Sequence, residues 1–414
     1  GRRERAGAGA DTGEQRLRDD PYTPAKVPVP GTRRSRHRDL PAKVRRRQAA
    51  LAGGVALLVL LAVAVGVNAL VGGDGGDEEK PLGLKRLVGQ TIVAKMGKDG
   101  PDKELLRRAR KGQIAGVIAT SPDEATLAQQ INRLNKAGEA GENPEMLIMI
   151  DQEGGEVKRL PGPPATGAPE LAAAGADAAR SSGENTGNYL KGFGVNVDLA
   201  PVLDVAVPQS ADSIADRSFG EDPALVSEVG SAFIEGLQGT GVAATAKHFP
   251  GLGPATLNTD DAPVTIAARQ EILQAALQPF QAAVDSNVEL VMVGSAIYPA
   301  YGSENPRDPN PPASSVAAIV TGLLRDQLGF KGVAVTDDLQ SVAVETLTDP
   351  SSAGIAALRA GCDLLLYAGS TGGSEDGFNA VVKAVKQQKL DRAQIQASYD
   401  RVTALKQRLA NSSD

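Results

Sequence analysis

Cysteine is almost absent from this sequence, which contains only Cys362. A single thiol cannot form an intramolecular disulfide bond, and it cannot build a metal site from several thiolate ligands. Cys362 lies in the apolar segment AGCDLLLYAG, which is typical of a small side chain buried in a core. We therefore expect a fold that is stable without disulfide bonds.

Positive charge is also scarce beyond the first 48 residues. Residues 1–48 contain 14 Lys and Arg against 6 Asp and Glu, whereas the rest of the chain contains 30 basic and 44 acidic residues. Surfaces that bind nucleic acids are basic because they face phosphates, so the acidic body of the chain argues against a nucleic-acid partner. The basic N-terminal segment suits the anionic headgroups of a membrane surface instead.

One long segment contains no charged residue. Residues 49–71 read AALAGGVALLVLLAVAVGVNALV, and a helix of these 23 residues would span roughly 35 Å, enough to cross a bilayer core. Arginines 45–47 precede the segment and acidic residues follow it, so the positive-inside rule places the N-terminus in the cytoplasm. We predict a single-pass anchor in the cell membrane with the remaining chain outside. A cleaved signal peptide is the weaker interpretation, because its apolar region would be shorter.

The anchor divides the chain into four predicted parts. Residues 1–48 form a disordered basic cytoplasmic tail, residues 49–71 the transmembrane helix, and residues 72–82 a flexible acidic linker. Residues 83–410 form the fourth part, in which short apolar runs alternate with amphipathic helical segments. This alternation predicts an α/β fold for the largest part of the chain.

The strand pattern favours a (β/α)8 TIM-like barrel over a doubly wound sheet. Continuous apolar strands indicate a parallel sheet covered on both faces, and several of these strands end in polar clusters, as in barrel active sites. No G-x-G-x-x-G motif follows an early strand, which argues against dinucleotide binding. The predicted strands are residues 114–120, 145–151, 195–205, 241–249, 288–295, 332–338 and 362–369. The predicted helices are residues 124–138, 223–238, 269–286, 315–329 and 375–388.

Two polar clusters combine charge with turn residues. The sequence DQE at residues 151–153 ends a strand, and the paired glycines that follow allow the backbone to turn closely around a polar ligand. Arg217 lies in the loop segment DRSFG, and its guanidinium could fork onto sugar hydroxyls or onto a carboxylate. Taken alone, the acidic segment 151–153 could also be a solvated turn, and Arg217 could also form an ion pair at the surface.

Two further clusters place ionisable groups at the ends of apolar strands. Lys247 and His248 end one strand, and their burial is costly unless they meet acids or a polar ligand. Asp337 and Asp338 end another, where adjacent carboxylates repel each other unless a cation or a catalytic use compensates. A nucleophilic Asp near Lys and Arg suits a double-displacement glycosidase, in which a second group protonates the leaving oxygen. Asp338 also suits the N-cap of the following turn.

In this order, the motifs DQEGG, LAPVLDV, RSFGEDP, KHFPG and TDDL resemble glycoside hydrolase family 3, in its β-N-acetylglucosaminidase branch. The resemblance covers residues 84 to about 408. It implies a (β/α)8 barrel, a retaining reaction on a carbohydrate substrate, and neither a metal nor an organic cofactor. Members of this branch remove terminal N-acetylglucosamine, often in cell-wall recycling, which suggests a peptidoglycan-type glycan. The resemblance carries the nucleophile onto Asp337 and the sugar contacts onto Asp151, Arg159, Arg217, Lys247 and His248.

The loop after KHFPG departs from the family pattern. The family has an Asp-Ser-His sequence here, whose Asp and His act as general acid/base, but this chain reads GLGPATLNTDD over residues 251–261. The family Asp then falls on Asn258 and the family His on Asp260. The chain contains two histidines, of which His37 lies in the predicted tail and His248 is assigned to substrate binding. Glu156 and Ser295 also replace the Arg and His that are usual in the family.

Three hypotheses explain this departure. Asp260 or Asp261 acts directly as the acid/base, and we prefer this hypothesis with Asp260 as the residue. Alternatively, the chain is a catalytically degenerate module that binds glycans. In the third hypothesis, a good leaving group or an anionic acceptor such as phosphate relaxes the need for an acid/base. We predict a glycosidase, because the proposed nucleophile and sugar contacts are all retained.

Overall fold

The computed structural model describes residues 82–143, 145–302, 311–370 and 372–412. The predicted tail, the predicted transmembrane segment at residues 49–71 and all but the last residue of the predicted linker lie outside these ranges. Among the helices of the described residues, none is both long and apolar enough to cross a membrane. The predicted barrel domain lies almost entirely within the described part of the chain.

Eight parallel strands form a nearly closed barrel, as predicted. Neighbouring strands pair in chain order, and β8 also pairs with β1, as in the register Ile92–Leu365. β7 and β8 are joined less extensively. Their contact consists of a parallel bridge between Val335 and Leu364 and a backbone hydrogen bond from Thr336 N to Leu364 O. The strands are β1 Ile92–Met96, β2 Gly116–Ala119, β3 Leu147–Ile150, β4 Val197–Asp198, β5 Ala243–Phe249, β6 Leu290–Val293, β7 Val333–Thr336 and β8 Leu365–Tyr367.

Helices surround the strands, and a small hairpin of Gln152–Gly154 with Val157–Lys158 follows β3. The α-helices are α1 Leu84–Gly89, α2 Lys103–Arg110, α3 Glu124–Glu139, α4 Ala168–Ala174, α5 Ala176–Lys191, α6 Asp212–Ala215, α7 Pro223–Gly239, α8 Gln270–Asp285, α9 Val342–Leu347, α10 Pro350–Ala360, α11 Gly373–Lys386 and α12 Arg392–Asn411. A π-helix spans Ala318–Gln327, and short 3₁₀ turns span Pro299–Tyr301 and Ala313–Ser315.

The structure corrects three details of the prediction. Strand β1 was not predicted, because its short run IVAKM contains a lysine and follows helix α1 closely. Of the predicted strand 195–205, Val197–Asp198 is a strand and Val202 forms an isolated parallel bridge with Lys247, whereas the residues between them do not pair as a strand. The predicted helix 315–329 is a π-helix over Ala318–Gln327. The helices predicted over residues 124–138, 223–238, 269–286 and 375–388 are confirmed within a few residues.

Side chains of the strands and of the C-terminal helix share one hydrophobic core. Val93, Leu147 and Leu290 belong to one buried cluster with Val402 and Leu405 of α12. Packing α12 against the strands removes this apolar surface from water, at about 25 cal/mol for each Å². Because all eight strands are parallel, their carboxyl ends share one rim, where the loops of the candidate site lie.

Candidate active site

The carboxyl-end rim of the barrel contains a pocket of about 500 Å³. A volume of this size lies within the usual range for small-molecule sites. The structure brings all the predicted site residues together in its lining, although they come from five separate parts of the chain. These residues are Asp151, Arg159, Arg217, Lys247, His248, Asp260 and Asp337.

A buried network of two cations and two carboxylates lies at one side of the pocket. Lys247, which is 2% exposed, contacts Asp151 Oδ1 at 2.8 Å and Glu153 Oε1 at 2.6 Å. Arg217 donates two hydrogen bonds of 2.7 Å to the two oxygens of Glu153. Arg159 lies 3.7 Å from the second oxygen of Asp151. The predicted fork of Arg217 therefore binds a carboxylate of the protein itself.

The charges in this network hold one another ionised. Burial opposes ionisation of Glu153, yet the positive charges of Lys247 and Arg217 lower its pKa to about 2. Burial also opposes protonation of Lys247, but the carboxylates of Asp151 and Glu153 raise its pKa above the ordinary value. Breaking such a buried pair is costly because one charge stays without a partner. The network therefore fixes a positive group at the pocket wall.

The hairpin after β3 positions Asp151 and Glu153. Gln152 is fully buried, and its side-chain oxygen accepts hydrogen bonds from the backbone N–H groups of Arg159 and Leu160, each 3.0 Å. The turn itself requires glycine, because Gly154 has φ +94° and a Cβ there would lie 2.4 Å from a backbone oxygen. Gln152 and this turn thus fix the hairpin arm from which Asp151 and Glu153 both reach Lys247.

His248 is held by Asp204. Its Nδ1 lies 2.7 Å from Asp204 Oδ2, and Asp204 Oδ1 accepts a 2.6 Å hydrogen bond from Leu252 N. Asp204 is fully buried, while His248 lines the pocket. With Asp204 accepting the proton of Nδ1, the imidazole presents its Nε2 as the atom available to a ligand. The predicted sugar contact is thus oriented by a carboxylate behind it.

Asp337 follows β7 and lies beside the pocket. Its Oδ1 accepts a 2.8 Å hydrogen bond from the N–H of Asp338, which fixes the carboxylate. The pKa of Asp337 lies above its ordinary value, chiefly because the side chain is buried. His248 lowers this pKa, whereas the negative charge of Asp260 raises it further. The arrangement gives a carboxylate that is fixed through one oxygen and lines the pocket, as a nucleophile requires.

Asp338 ties two rim loops together. Its Oδ1 accepts 2.9 Å hydrogen bonds from Gln340 N and Ala368 N. Burial raises the pKa of Asp338 to about 6. The bond to Gln340 N agrees with the predicted capping of the turn, and the bond to Ala368 N additionally connects the loops after β7 and β8.

The loop that carries Asp260 is bonded to the start of helix α9. The carbonyl of Asp260 accepts from Val342 N at 3.4 Å, and the carbonyl of Thr259 accepts from Ala343 N at 3.2 Å. These N–H groups belong to the first turn of α9, which has no partner for them within the helix. Asp260 is exposed at the pocket lining, whereas Asp261 is exposed but does not line the pocket. The loop thus places one of the two candidate acids at the site.

Glu153 and Asp204 belong to the predicted polar segments, but the sequence did not assign them a role in the site. Each pairs with a predicted residue, Glu153 with Lys247 and Arg217, and Asp204 with His248. The signal was present, because a Lys and a His at the end of a buried strand require acidic partners. Both acids lie in the quoted motifs DQEGG and LAPVLDV. In the part of the chain that the structure describes, no group of three or more His, Cys, Asp or Glu could hold a metal ion.

Comparison with known proteins gives a consistent result. Residues 85–405 match the family described as "Glycosyl hydrolase family 3 N terminal domain". An uncharacterized secreted glycosyl hydrolase of Arthroderma benhamiae is 32% identical over 322 residues, which are 75% of this chain and 89% of that protein. A beta-hexosaminidase of Nitrosomonas eutropha is 33% identical over 263 residues, which are 61% of this chain and 73% of that protein.

Solved structures are similar in the same region. A glycoside hydrolase family 3 beta-N-acetylglucosaminidase from Paenibacillus sp. str. FPU-7 has a TM-score of 0.75 and 31% identity, and the match covers 80% of this chain and 63% of that one. The chain thus spans less than two thirds of the Paenibacillus protein. A beta-N-acetylhexosaminidase from Beutenbergia cavernae has a TM-score of 0.70 and 30% identity, and the match covers 79% of this chain and 99% of that one.

A pocket at the carboxyl ends of a parallel barrel is where barrel enzymes bind their substrates, and this pocket is lined by several carboxylates, the groups with which glycosidases cleave glycosidic bonds. The chain belongs to glycosyl hydrolase family 3, because the family match covers most of its length. The predicted branch, that of the β-N-acetylglucosaminidases, is confirmed by the relatives and by the structural neighbours. The prediction of a glycosidase is therefore confirmed.

Proposed function

We propose that this protein hydrolyses terminal β-linked N-acetylglucosamine with retention of anomeric configuration. Asp337 is the nucleophile, Asp260 is the acid/base, and the sugar contacts come from Asp151, Arg159, Arg217, Lys247 and His248. The observation that carries the proposal is the Asp337 carboxylate, which lines the pocket with one oxygen fixed by Asp338 N. The activities of the beta-hexosaminidase relatives support the choice of sugar.

The reaction then proceeds in two steps. The carboxylate of Asp337 attacks the anomeric carbon while Asp260 gives its proton to the departing oxygen, which forms a glycosyl ester on Asp337. In the second step, Asp260 removes a proton from water, the water attacks the anomeric carbon, and the ester bond to Asp337 breaks.

The acid/base assignment is tested on a series of aryl N-acetyl-β-glucosaminides whose phenols differ in acidity. We expect the full-length variant Asp260→Asn to keep most of its kcat/KM on the most acidic phenols and to lose about 10²- to 10⁴-fold in kcat/KM on poor leaving groups. Its kcat on the activated substrates should fall, because the second step lacks its base. Azide should restore turnover of the activated substrates, because it attacks the glycosyl ester without needing a base. Asp261→Asn is the matched control, because Asp261 is exposed and does not line the pocket.

Four results would overturn parts of this proposal. An equal loss on all substrates would exclude Asp260 as the acid/base, and so would the same profile in Asp261→Asn. Proton NMR can monitor the anomeric configuration of the first sugar released. If that configuration is inverted relative to the substrate, a retaining reaction is excluded. If wild-type protein bound N-acetylglucosamine but released no phenol from any substrate, the alternative of a glycan-binding module would replace the enzyme.

We further propose that residues 49–71 anchor the enzyme in the cell membrane, with the barrel outside and a peptidoglycan-type glycan as substrate. The uncharged segment and the basic residues that precede it support this topology. The description of the Arthroderma benhamiae relative as secreted agrees with an external site of action. Protease added to intact cells should remove the barrel domain; protection of that domain until the cells are lysed would contradict the topology.

A further inference from the structure

The loop that carries Asp260, residues 251–264, is exposed in its middle and buried at its ends. Residues 256, 257, 260 and 261 are exposed, whereas Gly251 at the start and Val264 at the end are buried. An exposed stretch has few packing contacts to hold it in place. The position of Asp260 therefore depends on how its loop is attached to the rest of the barrel.

The segment that follows β6 is bonded to both ends of this loop. At the start, the hydroxyl of Tyr298 donates a 2.8 Å hydrogen bond to the carbonyl of Gly251. At the end, Ile297 N donates to the carbonyl of Val264 at 2.8 Å, and the carbonyl of Ile297 accepts from Ile266 N at 2.8 Å. Two adjacent residues of one segment thus hold both ends of the loop.

The bond from Tyr298 to Gly251 is buried. Tyr298 is 4% exposed, and its burial together with the charge of Asp204 raises its pKa well above the ordinary value, so the hydroxyl keeps its proton. Within the part of the chain that the structure describes, no second donor to the Gly251 carbonyl is found. Without the hydroxyl, this carbonyl would stay buried and unpaired, which is costly unless the loop moves.

The sugar contact His248 is held independently of Tyr298. Its Nδ1 lies 2.7 Å from Asp204 Oδ2, and its backbone N–H lies 3.3 Å from Asp204 Oδ1. Gly251 N donates to the carbonyl of His248 at 2.8 Å, but this bond is additional to those from Asp204. A shift at Gly251 would therefore displace the loop that begins there more than it would displace His248.

We propose that Tyr298 is a positioning residue for the acid/base, because its hydrogen bond to Gly251 holds the loop on which Asp260 reaches the oxygen of the leaving group. The inference rests on the proposed function, in which Asp260 protonates that oxygen. Tyr298 itself does not line the pocket, so it acts through the loop. Proton transfer needs a contact of about 2.6–3.2 Å, and a small displacement of the acid is therefore enough to slow it.

The test uses the aryl N-acetyl-β-glucosaminides that differ in the acidity of their phenols. In this reaction kcat/KM reports the first step, in which the leaving oxygen is protonated. We expect full-length Tyr298→Phe to keep the wild-type kcat/KM on the most acidic phenols and to lose about tenfold on the least acidic ones. The change keeps the aromatic ring and its packing, and thermal unfolding would confirm that the variant is folded.

Tyr367→Phe is the matched control. Tyr367 is also fully buried, but in the described part of the chain its hydroxyl has no hydrogen-bond partner. The same substitution there removes a hydroxyl from the barrel without freeing a loop. Its kcat/KM should follow the wild-type values across all the phenols.

A double variant separates positioning of the acid from a general weakening of the site. If Tyr298 acts through Asp260, adding Tyr298→Phe to Asp260→Asn should cause no further loss of kcat/KM on any phenol. A residue that merely supports the fold would lower kcat/KM further in that background, and by the same factor on every phenol.

Three results would overturn the inference alone. They are an equal loss on all phenols in Tyr298→Phe, a wild-type profile in Tyr298→Phe, and losses that multiply in the double variant. Each counts against Tyr298 only when Asp260→Asn shows the expected selective loss on poor leaving groups. A wild-type profile in Asp260→Asn would instead overturn the proposed acid/base, which distinguishes the two failures.

Discussion

Replacing Glu153 with Gln tests how much the buried ion network contributes to stability. Glu153 accepts two hydrogen bonds from Arg217 and lies 2.6 Å from Lys247 Nζ. The amide of Gln has nearly the shape of the carboxylate but no charge. Arg217 would then lose its carboxylate partner, and Lys247 would keep only Asp151. Unpaired buried charges are strongly destabilising, so we expect a lower free energy of unfolding.

The size of the effect follows from the pKa of Glu153. Its partners lower this pKa from the ordinary value of 4.5 to about 2, which corresponds to about 3 kcal/mol of stability at neutral pH. Because the folded pKa is the lower one, this stability is present above pH 4.5 and is lost as the pH falls toward 2. For a barrel of this size, about 3 kcal/mol lowers Tm by about 4 °C.

Urea unfolding of wild type and Glu153→Gln at several pH values measures this difference. We expect the gap in unfolding free energy to be largest near pH 7 and to narrow as the pH is lowered through the window from 4.5 to about 2. Glu156→Gln is the control, because Glu156 is exposed at the pocket mouth. A gap that stays constant with pH, or an equal loss in Glu156→Gln, would refute the account of the network.

Three further changes test other parts of the structure. Burial lowers the pKa of Lys406 from 10.5 to about 7, and Lys406→Met removes both this buried charge and the 2.7 Å hydrogen bond from its Nζ to buried Gln90 Oε1. In urea unfolding, the stability of Lys406→Met relative to wild type should therefore be highest below pH 7 and should fall by about 3–5 kcal/mol as the pH rises toward 10.5. Asp204→Asn should lower kcat/KM about 10- to 100-fold with a smaller change in kcat, because His248 loses its charged acceptor; an unchanged kcat/KM would exclude this orienting role. Gly154→Ala should lower the free energy of unfolding by about 1–3 kcal/mol, because Gly154 has a positive φ and no space for a Cβ. Gly372→Ala should leave the free energy of unfolding unchanged, because a Cβ there meets no atom within 4 Å and φ is not positive.

Much of the fold follows from the sequence because its periodicity is strong. Seven of the eight strands were predicted, since runs such as LVMV and VAVT are apolar on both faces and are buried in the structure. The same parallel arrangement explains why the polar residues that end these strands share one pocket. The DQEGG, KHFPG and TDDL motifs therefore predicted that Asp151, Lys247, His248 and Asp337 line one pocket.

The remaining features depend on contacts that span long stretches of sequence. Strand β1 is recognised only by its pairing with β2 and β8, because its five residues include Lys95. The partners of Lys247 and His248 lie 96 and 44 residues away along the chain. The bonds between the Asp260 loop and α9 connect backbone atoms, which carry no sequence signal.

The central claim is that Asp337 is the nucleophile of a working glycosidase, and one assay tests it most directly. Full-length wild type, Asp337→Asn and Asp338→Asn are incubated with an aryl N-acetyl-β-glucosaminide that carries an activated phenol, and phenol release is followed. We expect turnover by wild type, loss of turnover by at least about 10⁴-fold in Asp337→Asn, and a smaller loss in Asp338→Asn, which disturbs the loop but keeps the carboxylate of Asp337. Turnover by Asp337→Asn at the wild-type rate would contradict the account.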